Sequence, residues 1–231
     1  MNARYAIYFA PSRTSLLWRT ASRWLGRDAA GNARLAQPEV PGYSAQTLVA
    51  LTQSPRRYGF HATLKPPFRL GEGQSVAALC EALARFAGER VAFALPELEV
   101  APLSGFLALL PKVRSEALHA LADDCVTAFD AFRRPLEASE LARRRGAGLT
   151  ARQEALLARF GYPYVLDQFR FHMTLTGPVE GPESAHLRPW LQRHFAVSLR
   201  EPIQVRDLCL FVQDRPDADF SVFQRSPLKP R

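Results

Sequence analysis

A nine-residue pattern that occurs twice constrains the fold of this 231-residue chain more than any other feature. Residues 60–68 and residues 171–179 both read Phe-His-x-Thr-Leu-x-x-Pro followed by an apolar residue. In a β-strand, successive side chains point to opposite faces, so each copy presents its histidine and threonine on one face and its apolar residues on the other. The repetition predicts two strands, near residues 59–65 and 169–176, whose polar faces line one cleft.

The polar faces of the two copies carry His61 and Thr63 in the first and His172 and Thr174 in the second. A neutral imidazole accepts a proton and a protonated one donates it, and an unperturbed pKa near ~6.5 supplies both forms close to neutrality. The threonine hydroxyls can donate to phosphate oxygens as charge develops there. A single histidine on a half-buried strand is usually structural, whereas two copies with matching flanks favour a shared site. We therefore expect phosphoryl chemistry without a metal or cofactor, with His61 and His172 as acid and base in an order that the sequence does not assign.

The paired motifs resemble those of the two-histidine phosphoesterase superfamily, which includes LigT-like RNA cyclic phosphodiesterases. More narrowly, residues 57–68 and the Trp-Leu-Gly-Arg-Asp segment at 24–28 resemble the branch encoded beside carbon–phosphorus lyase genes. The resemblance implies an α+β fold in which two lobes of antiparallel sheet with outer helices surround a central cleft. It further implies a small substrate from phosphonate breakdown, such as a ribose cyclic phosphate. We expect residues 1–231 to form a single two-lobed domain.

Composition and charge narrow the partners. The net charge of +8 and the pI near 9.9 favour an anionic partner, although charge alone also serves solubility. The apolar run at residues 4–10 is too short to span a membrane and is followed by Pro11, so it indicates a buried strand of a cytoplasmic protein. Three scattered cysteines among apolar neighbours indicate reduced core thiols.

Periodicity predicts most of the remaining elements. After the first motif we expect three short strands that complete an antiparallel sheet around it, and after the second motif we expect a helix, further strands and a last edge strand. The expected helices cover residues 75–87, 115–132, 150–161 and 183–196, and the expected strands cover residues 91–95, 97–103, 106–110, 197–200, 203–213 and 220–224.

A basic insertion at about residues 133–162 separates the two motifs. It contains three consecutive arginines at 143–145 and a capping-box pattern from Thr150 to Gln153. Two interpretations remain open: a basic lid that recognises additional phosphates, or a solvent-facing helix that packs on one lobe. Arg27 likewise has two interpretations, a substrate contact or a structural arginine–aspartate pair near a buried tryptophan, and we prefer the structural one.

Candidate substrate-binding residues follow from the same alternation. Arg170 lies two positions before His172, and Lys65 lies two positions after Thr63, so both cations point into the cleft if the strands stay in phase. The alternative for Lys65 is that it leaves the strand at the Pro-Pro turn and extends into water. The candidate set is completed by Tyr58, Thr176 and Arg133.

The favoured function is a metal-independent cyclic phosphodiesterase that acts on a small cyclic phosphate or nucleotide linked to phosphonate metabolism. Two alternatives stay open: an RNA 2′,3′-cyclic phosphodiesterase, and a non-catalytic module that binds RNA or a nucleotide. We expect a monomer whose partner is a small phosphorylated substrate, with RNA as a further option and no membrane partner.

Overall fold

The computed structural model describes residues 3–146, 148–179 and 181–230. The apolar run near the start of the chain forms the first strand. The strands are, in chain order, β1 (Arg4–Phe9), β2 (Arg27–Asp28), β3 (Ala33–Arg34), β4 (Ala62–Phe68), β5 (Phe93–Ala94), β6 (Leu98–Leu103), β7 (Phe106–Pro111), β8 (Met173–Thr174), β9 (Gln204–Val205), β10 (Asp207–Gln213) and β11 (Ser221–Pro227). The α-helices are α1 (Leu16–Leu25), α2 (Ala45–Leu51), α3 (Gln53–Tyr58), α4 (Val76–Gly88), α5 (Glu116–Ala128), α6 (Ala138–Arg145), α7 (Ala151–Phe160) and α8 (Gly181–Ala196).

One seven-stranded sheet runs through the described part of the chain in the order β11-β10-β1-β4-β8-β7-β6, and its strands pair antiparallel. Two small two-stranded sheets, β2–β3 and β5–β9, lie outside it. The predicted α+β class with antiparallel sheet is confirmed. The two expected lobes correspond to the two ends of this sheet, which meet where β4 pairs with β8 through Ala62 and Met173.

Each end of the sheet combines strands from both halves of the chain. We expected the strands after the first motif to complete the sheet around it, and this was wrong: β6 and β7 pair next to β8, the strand of the second motif. The first motif strand, β4, instead pairs with β1, which is followed by the late strands β10 and β11. The second motif strand is also much shorter than the predicted 169–176, because only Met173 and Thr174 form ladder pairs.

Capping side chains place the helices close to their predicted positions. The hydroxyls of Ser75, Ser115 and Thr150 accept backbone N–H groups at the starts of α4, α5 and α7, and Gly161 ends α7 in the left-handed conformation. The predicted strand at 197–200 is instead a 3-10 turn that continues from α8.

The two faces of the sheet differ in what they bury. One face packs against α4, α5 and α8 and contains the larger hydrophobic core, including Ile7 and Leu64. The other face carries a smaller cluster around Tyr8 and Phe220. Cys80, Cys125 and Cys209 are free thiols, and burial raises the pKa of each. In the described part of the chain, no helix has the length and apolar character needed to cross a membrane.

Arg27 is buried to 1% exposure and acts as a backbone clamp. Its guanidinium donates to the carbonyl oxygens of Arg56 at 2.9 Å, Arg57 at 3.2 Å and Phe220 at 2.7 Å. Two of these carbonyls belong to the last turn of α3, where a cation is favourable both as a donor and against the helix dipole. The nearest carboxylate is that of Asp219, at 3.5 Å. The structure thus supports the structural interpretation of Arg27.

Substituting Arg27 tests this clamp. Arg27→Ala should lower the free energy of unfolding by about 3–5 kcal/mol, because buried carbonyls and Asp219 lose their donor. Arg13→Ala is the matched control: Arg13 pairs with Asp28 at 3.2 Å but its side chain is 61% exposed, so the change should stay within about 1 kcal/mol. Urea denaturation followed by circular dichroism measures both variants. Equal losses would contradict the clamp.

Candidate active site

The register between β4 and β8 brings the two motifs together. Ala62 pairs with Met173 in an antiparallel ladder. Counting one residue from this pair in each direction places Thr63 across from His172 and His61 across from Thr174. Directly opposed residues have Cβ atoms roughly 5 Å apart and diagonal ones roughly 7–8 Å. The two imidazoles are the diagonal pair, so they flank a space into which two hydroxyls also point.

Both histidines have the same orientation relative to their own backbone. Nδ1 of His61 lies 2.9 Å from the carbonyl oxygen of Gly59, and Nδ1 of His172 lies 2.7 Å from that of Arg170. A carbonyl can only accept, so each Nδ1 carries a proton and each neutral ring keeps its lone pair on Nε2. Nε2 of His61 lies 3.3 Å from the Thr63 hydroxyl. The arrangement therefore provides two equivalent nitrogens that can take up or release a proton.

Gly59 makes the orientation of His61 possible. Its φ of 75° and ψ of 176° lie in a region that is essentially restricted to glycine, and a Cβ there would stand 2.4 Å from the Cβ of Ala29. This conformation directs the Gly59 carbonyl toward the imidazole. The preceding turn is the one that Arg27 clamps, so buried groups outside the cavity fix the ring of His61.

The surroundings of the histidines disfavour positive charge in the free protein. His61 stacks on Tyr8 with ring centroids 3.8 Å apart, and Phe106 lies 5.8 Å from His172. Burial lowers the pKa of His61 to about 4, and the nearby charge of His172 acts in the same direction. Burial also lowers the pKa of His172. Both rings are accordingly neutral near pH 7.

A cavity of about 480 Å³ opens over this pair. It brings together His61, Thr63, His172 and Thr174, the residues that the sequence predicted to share a site. Its other lining residues include Tyr8, Tyr58, Tyr162, Thr176, Arg4 and Arg144. A second cavity of about 480 Å³ adjoins it, shares His172 and Tyr162, and is lined by Arg170 and Tyr164.

Lys65 does not point into the cavity, and the prediction that it does was wrong. Tyr8 pairs with Thr63 but Ile7 pairs with Lys65, so β4 has one extra residue, Leu64, between these two pairs. This β-bulge shifts the alternation, and Lys65 emerges on the core face beside Ile7. Nor does Lys65 extend into water: it is 2% exposed, and its ammonium donates to the carbonyl of Val126 at 2.9 Å.

Arg133 also lies outside the cavity, contrary to its assignment as a substrate contact. Its guanidinium donates to Asp130 at 2.9 Å and to the carbonyl of Arg159 at the end of α7 at 2.9 Å. The side chain therefore ties the end of α7 to the 3-10 turn at Asp130–Phe132. Thr176 does line the cavity, but its hydroxyl accepts the backbone N–H of Leu107 at 3.0 Å, which extends the contact between β7 and β8.

Sequence reasoning missed two cavity arginines, Arg4 and Arg144. A signal for Arg4 was present, because Arg4 and Tyr8 are four residues apart on β1 and so share a face. Arg144 lies in the basic insertion, where three successive arginines gave no indication of which one faces inward. Among the described residues, no group of three or more His, Cys, Asp or Glu side chains is placed to hold a metal ion.

Comparison with known proteins gives a family and several relatives. A family model described as "Protein of unknown function (DUF1045)" matches residues 63–221, more than half of the chain. Ribose 1,5-bisphosphate phosphokinase PhnN of Janthinobacterium sp. (strain Marseille) is 42% identical over 228 residues, which cover 97% of this chain and 50% of that protein. The protein of the same name from Laribacter hongkongensis (strain HLHK9) is 38% identical over 220 residues, with coverages of 94% and 50%. The chain thus spans about half the length of the curated relatives it matches.

Solved structures align with the chain over its whole length at low identity. A crystal structure of a phosphoesterase is 15% identical, covers 99% of both chains and gives a TM-score of 0.46. The E. coli LigT structure complexed with 3′-AMP is 13% identical, covers 99% of both chains and gives a TM-score of 0.43.

The titration of the two histidines tests the geometry of the site. In the free protein, the His61 ring should titrate near pH 4, and inorganic phosphate should raise its pKa because a bound anion stabilises the imidazolium. NMR of the ring Cε1–H groups between pH 3 and 8 measures this, with chloride at equal ionic strength as control. In His172→Gln the pKa of His61 should rise, since one positive neighbour is lost. An ordinary pKa near 6.5 that does not respond to phosphate would contradict the described environment.

Proposed function

The chain belongs to the DUF1045 family, and we propose for it a phosphoesterase activity of the two-histidine type that opens a small cyclic phosphate without a metal. The observation that carries the proposal is the symmetric pair His61 and His172, each with Nδ1 bound to its own backbone and Nε2 available at one cavity. Two such imidazoles supply the acid and the base that phosphodiester hydrolysis requires.

The proposed reaction consumes one water. One neutral histidine takes a proton from water through Nε2 as the water oxygen bonds to phosphorus. The ester P–O bond on the opposite side breaks, and the other histidine, in its protonated form, gives its proton to the leaving oxygen. Thr63 and Thr174 donate to the non-bridging oxygens as their charge increases. The product is a phosphomonoester with a free hydroxyl, and a proton exchanged with solvent restores the pair.

An anionic substrate explains how one of the two histidines becomes protonated. Both rings are neutral in the free protein near pH 7, yet the acid must hold a proton. A bound phosphate anion between the rings favours the imidazolium and so raises the pKa of its neighbours. His61, whose pKa is lowered to about 4, is the better candidate for the base, which leaves His172 as the acid. Burial thus keeps both rings neutral until an anionic substrate binds between them.

The names of the relatives favour a sugar phosphate as substrate. Those proteins are named for a kinase that acts on a ribose bisphosphate, and this chain matches only half of their length. The sequence contains no G-x-x-x-x-G-K-[ST] stretch, the loop that cradles nucleotide phosphates in many kinases. We therefore assign the kinase name to the part of those proteins that this chain does not match, and place a phosphorylated ribose among the substrates to be tested here. The PhnN name of these relatives agrees with a role in phosphonate metabolism.

An RNA end is the second candidate substrate. Tyr8, Tyr58 and Tyr162 line the cavity, and Tyr164 lines its neighbour, so aromatic surfaces for stacking a base are present. The side chain of Tyr5 lies on the core face and lines neither of these two cavities. A 2′,3′-cyclic oligonucleotide therefore belongs in the same screen as the small cyclic phosphates.

Substitution of each histidine tests the reaction. His61→Ala and His172→Ala should each lower kcat/KM for the preferred cyclic phosphate by about 10²–10⁴-fold, since each removes one proton-transfer partner. His186→Ala, on α8 beside Tyr43, is the matched control and should retain activity. The assay follows phosphomonoester release by ³¹P NMR, with and without EDTA. Activity that chelation abolishes and a divalent ion restores would exclude the metal-free mechanism.

A binding protein would give a different result. Calorimetry with the same compounds separates the alternatives, because a non-catalytic module would bind a phosphate ester tightly while neither the wild type nor any variant released product.

A further inference from the structure

Two arginines that the proposed chemistry does not use line the cavity together. Arg4 lies on β1 four residues before Tyr8, the residue on which His61 stacks. At ~3.3 Å per residue, the Cα atoms of Arg4 and Tyr8 are roughly 13 Å apart along the strand. Arg144 reaches the same cavity from α6, in the basic insertion. Both arginines therefore approach from beyond the level of the histidines.

Arg4 is held in place by groups outside the cavity. Its Nε donates to the side-chain oxygen of Gln213 at 2.7 Å, and Gln213 is itself fully buried and donates to the carbonyl of Ala218 at 2.7 Å. The guanidinium carbon lies 5.4 Å from the ring centre of Phe220. This support holds the Nε edge of the guanidinium, and its terminal nitrogens make no hydrogen bond to a described residue.

One hydrogen-bond donor of Arg144 has no acceptor among the described residues. Its Nε is buried and makes no hydrogen bond to any described residue, while its guanidinium carbon lies 5.3 Å from the ring centre of Tyr162. Buried guanidinium donors normally have acceptors, because losing water without replacement costs free energy. Burial lowers the pKa of Arg144, as do the charges of Arg143 and Arg4, while Tyr162 and Glu140 act in the opposite direction. Arg144 and Arg4 are thus close enough to repel each other.

No carboxylate among the described lining residues balances these charges. The cavity contains two histidines and two arginines but neither Asp nor Glu. Arg4 and Arg144, with Pro66 and Pro67, also line a small adjoining cleft. The carboxylate in that cleft, Glu140, accepts from Arg69 at 2.6 Å. Like charges gathered on a partly buried surface are unfavourable unless an anion binds between them.

We propose that Arg4 and Arg144 form a second phosphate subsite, which binds a phosphomonoester on the same small molecule whose cyclic phosphate lies between His61 and His172. The inference rests on the proposed function for the identity of the first phosphate, but the subsite itself rests on the two arginines. Guanidinium groups bind phosphate oxygens through paired, charge-assisted hydrogen bonds. The substrate class is accordingly a cyclic phosphate of a sugar or nucleoside that also has a terminal phosphate group.

The subsite also gives the basic insertion a role. Of the three arginines at 143–145, the middle one faces the cavity, while Arg145 pairs with Glu154 on α7 at the exposed surface. The insertion places Arg144 and Tyr162 at the cavity, and the proposed subsite makes it a segment that recognises an additional phosphate.

Paired substrates test the subsite. Two pairs of probes are compared: adenosine 2′,3′-cyclic phosphate with and without a 5′-phosphate, and a ribose cyclic phosphate with and without a 5-phosphate. Wild type should prefer the phosphorylated member of a pair by about ten- to a hundredfold in kcat/KM, the loss expected for one or two charge-assisted hydrogen bonds. Arg144→Ala and Arg4→Ala should abolish this preference, because each lowers kcat/KM for the phosphorylated member by that factor more than it lowers kcat/KM for the other member. Arg144→Lys should restore it in part.

Arg145→Ala is the matched control, because it removes one positive charge from the same helix outside the cavity, and it should keep the full preference. Equal activity of wild type on both members of a pair would overturn the subsite, as would a loss in Arg144→Ala that is the same for both. Should Arg4→Ala fail to fold, Arg144→Ala and Arg144→Gln decide the matter.

A binding measurement separates failure of the subsite from failure of the proposed reaction. If no cyclic phosphate is hydrolysed, the proposed function is wrong, and calorimetry with ribose 5-phosphate still tests the arginines. Binding to wild type and Arg145→Ala that weakens tenfold or more in Arg144→Ala supports the subsite. Equal binding to all three proteins, or none to wild type, overturns it.

Discussion

The pairing of Ala62 with Met173 is the contact on which the site depends. Both residues are fully buried, and they join the two ends of the sheet at its centre. Every polar side chain of the two motifs takes its position from this register, because a slip of one residue would turn each of them to the other face. The second strand is only two residues long, so its own hydrogen bonds cannot hold the register by themselves.

The segment from Trp24 to Asp28 supplies the additional restraint. The indole of Trp24 donates to the carbonyl of Leu175 at 2.7 Å, immediately after the second motif strand. Three residues later, Arg27 holds the carbonyls at the end of α3, immediately before the first motif. A short stretch at the end of one helix therefore fixes both motifs relative to each other, without contributing a side chain to the chemistry. The three carbonyl acceptors of Arg27 thus offset the desolvation cost of burying its charge.

The sequence was sufficient for those features that depend on local alternation. Period-two spacing predicted the shared face of His61 and Thr63, and capping residues predicted the helix starts. It was insufficient where one inserted residue or a long-range pairing decides the outcome. The bulge at Leu64 turned Lys65 inward, and no local signal distinguishes a bulged strand from a regular one. Arg144 could not be singled out from its neighbours, because its direction depends on how α6 packs.

Because each end of the sheet combines strands from both halves of the chain, the sheet order affects how the chain folds. The first motif strand lies beside β1, and β1 pairs with β10, so Arg4 is held to Gln213 across 209 positions of sequence. Closing so long a loop costs only slightly more entropy than closing a shorter one, but contacts between distant residues slow folding strongly. During synthesis on the ribosome, β1 and β4 can pair with each other early, whereas their outer neighbours β10 and β8 follow much later in the sequence. Until those strands have been made, both edges of the β1–β4 pair are unpaired, and unpaired strand edges can associate with other chains.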